Sequence, residues 1–261
     1  AHDPSPRPAI PVPTPAVTMD LSVVVPVHNE AGNIAPLLAE IHAALEGRCD
    51  FEIIYVNDGS TDETPSQLAA AARRYPRLRV IRHRVACGQS TALRTGIRAA
   101  RGAWIATLDG DGQNDPADIP RLLETASGAH DVRLRMVAGY RRRRRDSWIR
   151  RISSRVANGV RSRLLGDATP DTGCGLKVFA RDIYLELPYF DHMHRFLPAL
   201  VQRAGWKVTS VEVNHRHRER GRSKYGTLDR LAAGIVDLFG VMWLKRRSRL
   251  PETSELTDAL E

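Results

Sequence analysis

Short apolar runs alternate with segments of helical spacing along the first half of the chain. LSVVVPV (21–27) is rich in β-branched residues and predicts a buried strand. Within residues 30–47, Ile34, Leu37, Leu38, Ile41 and Leu45 recur at helical spacing, and Gly47 marks the stop. FEIIYV (51–56) predicts a second strand, DETPSQLAAAARRYP (62–76) a second helix closed by Pro76, and LRVIRH (78–83) a third strand. GQSTALRTGIRAARG (88–102) predicts a third helix and WIATL (104–108) a fourth strand. The order is β-α-β-α-β-α-β. Strands that are apolar throughout, rather than alternating, indicate a mainly parallel sheet with helices on both faces. Right-handed crossovers make such a sheet doubly wound, so the fold class is α/β.

Beyond residue 130 the pattern changes. MVAGY (136–140) predicts one more strand and runs into five arginines, 141–145. In 146–166, Trp148, Ile152, Val156, Val160 and Leu164 recur every four residues among arginines, which predicts a basic amphipathic helix. LKVFA (176–180) and VTSVEV (208–213) predict strands, with a helix around 193–204 between them. Repeated prolines in 1–18 predict an extended tail. The folded domain is therefore placed at 19–230, followed by a helix and a polar tail in 231–261. LAAGIVDLFGVMWL (231–244) is shorter than the roughly 20 apolar residues of a spanning helix. It contains Asp237 and leads into KRRSR, so it reads as a core helix or as an interfacial one.

In a doubly wound sheet, ligands bind beyond the carboxyl ends of the strands. That rule selects four polar loops: PVHNE (26–30), NDGSTD (57–62), HRVACGQS (83–90) and DGDGQND (109–115). The first lacks G-x-G-x-x-G and no G-x-x-x-x-G-K-[ST] occurs, so neither a dinucleotide turn nor a P-loop is expected. The D-x-D of Asp109 and Asp111 instead offers hard oxygen ligands at a strand end. Mg²⁺ or Mn²⁺ takes such oxygens and shares its remaining positions with substrate phosphates. Gln113 can add a neutral oxygen. Asp115, before Pro116, reads as a helix cap, and so does Asp62. Asp58 ends the second strand, where it can accept hydrogen bonds from a base or ribose.

Composition narrows the partner. The formal charge is +9, and only four of the 39 basic residues are lysine (Lys177, Lys207, Lys224, Lys245). Arginine suits bidentate contacts to phosphate, although composition bias accounts for arginine richness equally well. The balance points to an anionic partner: a nucleotide-linked substrate, an anionic membrane or nucleic acid. Three cysteines without a C-x-x-C pair argue against both a disulfide framework and a zinc site, and fit a reducing cytosol. The N-terminus shows no apolar signal-peptide core.

VVVPVHNE, VNDGSTDET and LDGDGQNDP, in this order and spacing, resemble the three N-terminal signatures of the family 2 glycosyltransferases. DTGCGLKVFARD (171–182), RFLPAL (195–200) and HRERGRSKYG (217–226) resemble the polyprenyl-phosphate glycosyltransferases within that family. These include dolichol-phosphate mannose synthase and undecaprenyl-phosphate aminoarabinose or glucose transferases. The resemblance covers about residues 20–245 and implies a GT-A fold. It implies transfer of one sugar, with inversion, from a UDP- or GDP-linked donor to a polyprenyl phosphate at the cytoplasmic membrane face. It implies that Pro26, His28, Glu30, Asp58 and Gly110 hold the nucleotide, and that Asp109, Asp111 and Gln113 serve a metal. Arg141, Arg218 and Lys224 would meet phosphates of donor or acceptor. Asp171 either orients the acceptor or a sugar hydroxyl, or is a turn residue in PDTG. Two positions depart from the pattern: Gly110 stands where relatives often carry Ala, and His28 where Tyr is frequent. The transmembrane hairpins of many relatives do not occur in these 261 residues. Attachment is then expected to be peripheral, by the 146–165 and 231–247 segments on an anionic surface, with a homo-oligomer or a separate membrane subunit left open.

Two other readings compete. A family 2 transferase with a saccharide acceptor needs a general base near the anomeric carbon, and Asp171 is the one candidate. A phosphate acceptor is already largely ionised at neutral pH and needs only to be positioned. A nucleic-acid-binding module would use the arginines of 141–163. It explains the charge but not acidic loops around one sheet edge, and only Tyr140 and Trp148 flank the arginine run. In 218–226, Arg218, Arg220, Arg222 and Lys224 alternate, so an extended loop would point all four one way and close over bound phosphates.

Overall fold

The computed structural model describes residues 19–141, 159, 161, 163–167, 169–216 and 227–251, with side chains from 234 onward in the last helix. The chain runs β1 (Leu21–Val27), α1 (Ala31–Leu45), β2 (Phe51–Asp58), α2 (Thr64–Arg74), β3 (Leu78–His83), α3 (Gln89–Ala99) and β4 (Trp104–Thr107). Then come a 3-10 turn (Pro116–Asp118), α4 (Ile119–Ser127), β5 (Leu134–Tyr140), β6 (Lys177–Ala180) and α5 (Arg181–Glu186). A second 3-10 turn (Met193–Arg195), α6 (Leu197–Arg203), β7 (Lys207–Glu212) and α7 (Thr227–Arg246) complete it.

The strands form one sheet in the order β3-β2-β1-β4-β6-β5-β7. β1 pairs in parallel with β2 and β4, β2 with β3, and β5 with β7. β6 alone runs antiparallel to both of its neighbours. The chain winds outward from β1 through β2 to β3, then returns to the other side of β1 as β4. That reversal opens a crevice beyond the carboxyl ends of β1 and β4, where the D-x-D loop emerges.

Alternation along β1 builds a core on each face. Val23 and Val25 face α1, α2 and α4, and Val24 faces the layer of α3, α5, α6 and α7. Ile34, Leu37, Leu38, Ile41 and Leu45 all turn inward from α1, as the spacing predicts. Each such burial is worth roughly 1.5–3 kcal/mol of transfer free energy. β3 lies at the edge, and its burial alternates.

Three elements differ from expectation, and one of them, α5, was not anticipated at all. α4 was anticipated only through a helix cap at Asp115, and Asp115 instead caps the 3-10 turn that leads into it: its Oδ1 accepts from the amide of Ala117 at 3.1 Å. The domain boundary expected at 230/231 falls inside α7. Val241 is buried in the second core with Leu238, Met242 and Leu244 beside it, and Arg203 Nε donates to the Leu244 carbonyl at 2.9 Å. An apolar run marks where a helix buries a face, not where its backbone bonds begin. Of the expected 146–166 helix, only the end is described. There Leu165 is buried, Leu164 is exposed, and Arg161 forms a bidentate pair with the buried Asp167 at 2.8 and 2.9 Å. The rest of that segment, with residues 217–226, lies outside the described residues.

Candidate active site

The four loops selected from the sequence meet at the carboxyl edge of the sheet, laced by their own polar groups. The Asn29 amide donates to Ser60 Oγ at 2.9 Å, and Asn29 Oδ1 accepts from the Thr61 amide at 2.7 Å. Asn29 takes a left-handed φ of 55° to make both contacts. His28 Nδ1 donates to the Asp58 carbonyl at 2.7 Å. Glu30 accepts from Asn33 Nδ2 at 2.7 Å, and its amide donates to Thr64 Oγ1 at 2.9 Å. Asp62 bonds the Thr64 amide at 2.9 Å, so it secures the start of α2. Pro26 lies in β1, one step before the loop. Its carbonyl oxygen, with Val27, bounds the space above Gly110. A Cβ at Gly110 would sit 2.5 Å from Val27 Cγ1, so the alanine frequent in relatives requires Val27 to shift here.

Asp58 is buried and its carboxylate points at the third loop. Oδ1 meets His83 Nδ1 at 2.7 Å and the Cys87 amide at 2.8 Å, and Oδ2 accepts from the Gly88 amide at 2.8 Å. It therefore shapes residues 83–88. Directly after them, Gln89 Nε2 donates to Asp109 Oδ1 at 2.8 Å, which joins the third loop to the fourth.

Asp109 leaves β4 into a cradle the sequence reading missed. Its carboxylate lies so close to Gly175 that any Cβ there would overlap it. Thr107 Oγ1 holds that glycine by donating to its carbonyl at 2.8 Å. Two residues further on comes Lys177, which is buried in β6 and pairs in register with Thr107 of β4 and Ala138 of β5. Its Nζ donates to the Cys174 carbonyl. Burial pushes the Lys177 ammonium below its ordinary pKa, and Cys174, Asp109 and Asp171 pull it back. Burial likewise pushes Asp109 above the usual carboxylate range, and Asp111 adds to this, while Lys177, Gln89 and Arg141 oppose it.

Arg141 and Asp171 are brought together. The guanidinium holds the carboxylate through Nε–Oδ2 at 2.6 Å and Nη2–Oδ1 at 3.0 Å, with both side chains mostly buried. Asp171 is thus more than a turn residue. Its carboxylate fixes an arginine within the field of Asp109.

Asp111 Oδ1 accepts from the Gln113 amide at 3.1 Å, and Gln113 Nε2 reaches the Arg216 carbonyl at 3.5 Å. Arg216, also missed, clasps this loop. Its amide donates to the Gln113 carbonyl at 2.9 Å, Nη1 to Glu40 at 2.7 Å, and Nη2 meets Asp115 at 2.7 Å. Arg218 and Lys224 lie outside the described residues. Gln89 and Lys177 sat within stretches the motifs had selected. Only the loop contacts and the strand register assign them to Asp109.

The family model of glycosyl transferase family 2 matches residues 22–187. This chain is a family 2 glycosyltransferase. The transferase is 37% identical over 246 residues to dodecaprenyl-phosphate galacturonate synthase of Rhizobium johnstonii, a match spanning 91% of this chain and 70% of that protein. It is 36% identical over 211 residues to undecaprenyl-phosphate 4-deoxy-4-formamido-L-arabinose transferase of Edwardsiella ictaluri, across 80% of this chain and 63% of that one. The transferase also superposes on glucosyl-3-phosphoglycerate synthase of Mycobacterium tuberculosis bound to UDP. The TM-score is 0.66 at 21% identity, covering 87% of this chain and 80% of that one. The mainly parallel seven-stranded sheet is accordingly the GT-A fold.

Proposed function

We propose that this glycosyltransferase moves one sugar from a nucleoside-diphosphate donor, UDP- or GDP-linked, to a polyprenyl phosphate, with inversion. The reading rests on one observation above all. Asp109 and Asp111 stand at one sheet edge, and Asp109 lies within the field of Arg141, which Asp171 holds in place. The identity to two polyprenyl-phosphate sugar transferases supports the acceptor class.

The donor set fits Mg²⁺ or Mn²⁺. Asp109 is enclosed beside a second carboxylate, and the side chains around it leave its ionised form disfavoured. A divalent cation bound by Asp109 and Asp111, with Gln113 near, would neutralise the diphosphate and stabilise the leaving group. The chain's residues do the rest. Pro26, His28, Glu30, Asp58 and Gly110 shape the nucleotide side of the crevice. Gln89 and Gly175 fix the Asp109 carboxylate. Arg141, aimed by Asp171, offers its remaining guanidinium N–H donors to a phosphate, and Arg218 and Lys224 are assigned phosphate contacts as well.

Asp171 bears on the acceptor. Both its oxygens are engaged by Arg141, an arrangement that aims an arginine and does not prepare a general base. A phosphate acceptor needs no such base.

Peripheral attachment at the inner membrane face is part of this reading, and α7 supports it. Val236, Phe239 and Trp243 are 71%, 64% and 59% exposed along one stripe, and Lys245 and Arg246 end the helix. Such a face suits the interface of an anionic bilayer. Among the described residues, no helix is long and apolar enough to cross a membrane. A homo-oligomer or a separate membrane subunit is compatible with this attachment. The test is a donor panel with undecaprenyl phosphate and Mn²⁺, read by mass spectrometry of the lipid. A glycosylated lipid phosphate is expected. Transfer to saccharides alone would overturn the reading.

A further inference from the structure

The D-x-D is not the only place where metal-ligating side chains gather. Asp58, His83 and Cys87 each present one ligand atom, and the three atoms lie within 4.8 Å of one another. We propose that they form a second cation site, selective for Zn²⁺ over Mg²⁺ or Mn²⁺.

Three features carry this. The first is chemistry. An oxygen, an imidazole nitrogen and a sulfur together suit Zn²⁺, whereas Mg²⁺ and Mn²⁺ prefer all-oxygen sets. One carboxylate and one thiolate also balance the charge of the ion.

The second is preorganisation. Asp58 accepts from the amides of Cys87 and Gly88, both at 2.8 Å, so the backbone itself holds Cys87 against the carboxylate. On the other side of the ring, His83 Nε2 lies 2.9 Å from Thr95 Oγ1, the kind of outer partner that orients a metal-binding imidazole. Asp58 is buried, His83 half-buried and Cys87 exposed, so the set is open to solvent on the thiol side.

The third is that a proton already occupies the place of the ion. His83 Nδ1–H donates to Asp58 Oδ1 at 2.7 Å. Zn²⁺ would replace that proton. Nδ1 then binds through its lone pair, and the ring takes the other tautomer, with Nε2–H donating to Thr95. The Cys87 thiol loses its proton to solvent, so one proton leaves per ion bound. The oxygen and nitrogen must separate by roughly half an ångström to span a tetrahedral ion.

The loop so fixed leads straight to Gln89, which touches Asp109. A filled site would restrain this loop and weaken donor binding. That consequence rests on the function proposed above, but the site itself does not.

The test uses the whole chain, its Asp111→Asn variant and its Cys87→Ser variant, without donor or acceptor. Zn²⁺ titrations should show one tightest site that fills with release of one proton, in wild type and in Asp111→Asn alike. Co²⁺ as a probe should give a thiolate charge-transfer band in both. Zn²⁺ should protect Cys87 from iodoacetamide, read by peptide mass spectrometry. Cys87→Ser, at an exposed position where the fold is not at risk, should lose the band and weaken Zn²⁺ binding by about tenfold or more. His83→Gln should weaken it similarly. Absence of the band in wild type, its survival in Cys87→Ser, or Zn²⁺ binding lost in Asp111→Asn but kept in Cys87→Ser would overturn the proposal. No readout depends on turnover, so failure here is separate from failure of the transferase reading.

Discussion

The sheet carries carboxylates at both of its ends and surrounds them differently. At the amino end, Glu52 is 3% exposed and its oxygens accept from Ser22 Oγ at 2.8 Å, Arg79 Nη1 at 2.6 Å and the Arg101 amide at 2.7 Å. These donors come from β1, β3 and the approach to β4, so Glu52 ties the sheet together. At the carboxyl end, Asp109 accepts from Gln89 alone among the described side chains and faces Asp111 across one glycine. The protein completes the first charge with its own groups. We propose that a ligand completes the second. A fold built only for stability would not set a second carboxylate beside one whose ionised form burial already disfavours. The contrast marks which end does chemistry.

Substitutions at the two ends should therefore separate activity from stability. The largest effect is expected for Asp111→Asn. Transfer should fall by about 1,000-fold, the upper range for removing one preorganised electrostatic group, with the fold intact by circular dichroism. Glu52→Gln should leave kcat/KM of the folded protein unchanged. Equal losses of activity at both ends would break the comparison.

Next comes Gly175→Ala. The added methyl must displace the Asp109 carboxylate, and a shift near 1 Å costs on the order of 100-fold in kcat/KM. Steady-state kinetics with a Mn²⁺ titration checks it. A near wild-type variant would show that the cradle is ordinary packing.

Arg79→Ala addresses the amino end. It leaves Glu52 without its cation and should lower stability by about 1–3 kcal/mol in urea unfolding, because Arg79 is partly exposed and its charge screened. Activity per folded molecule should hold.

The smallest effect concerns pH. Burial raises the Asp109 pKa in the folded state, so its protonated form contributes stability that is full below the unfolded value. That contribution is lost as pH rises through the folded value. Metal-free Asp109→Asn should therefore melt higher than wild type at neutral pH, and the gap should close in acid. A gap that widens in acid reverses the sign and contradicts the electrostatics described here.

Much of this contrast was legible in the residues. The stripe on α1, the four loops and the D-x-D followed from spacing and from the rule for parallel sheets. The direction of β6 did not. KVFA is buried at every position, and such a run carries no mark of which way it points. Lys177 stayed hidden for the same reason. Within an apolar strand it reads as a strand-end lysine until pairing with Thr107 sets it beneath Asp109. Arg216 gave no signal among its basic neighbours, since its partners Glu40 and Asp115 are distant in sequence. Asp171 was visible as a candidate, but only its bidentate contact assigns it to aiming Arg141.

The carboxyl-edge aspartates are proposed to bind the divalent cation together with the donor diphosphate. Electron paramagnetic resonance of Mn²⁺ with a nucleoside diphosphate measures this without turnover. Wild type and Glu52→Gln should bind Mn²⁺ with equal affinity, strengthened by the nucleotide, and Asp111→Asn should lose that binding. Equal Mn²⁺ affinity in wild type and in an Asp109→Asn, Asp111→Asn double variant would contradict the account.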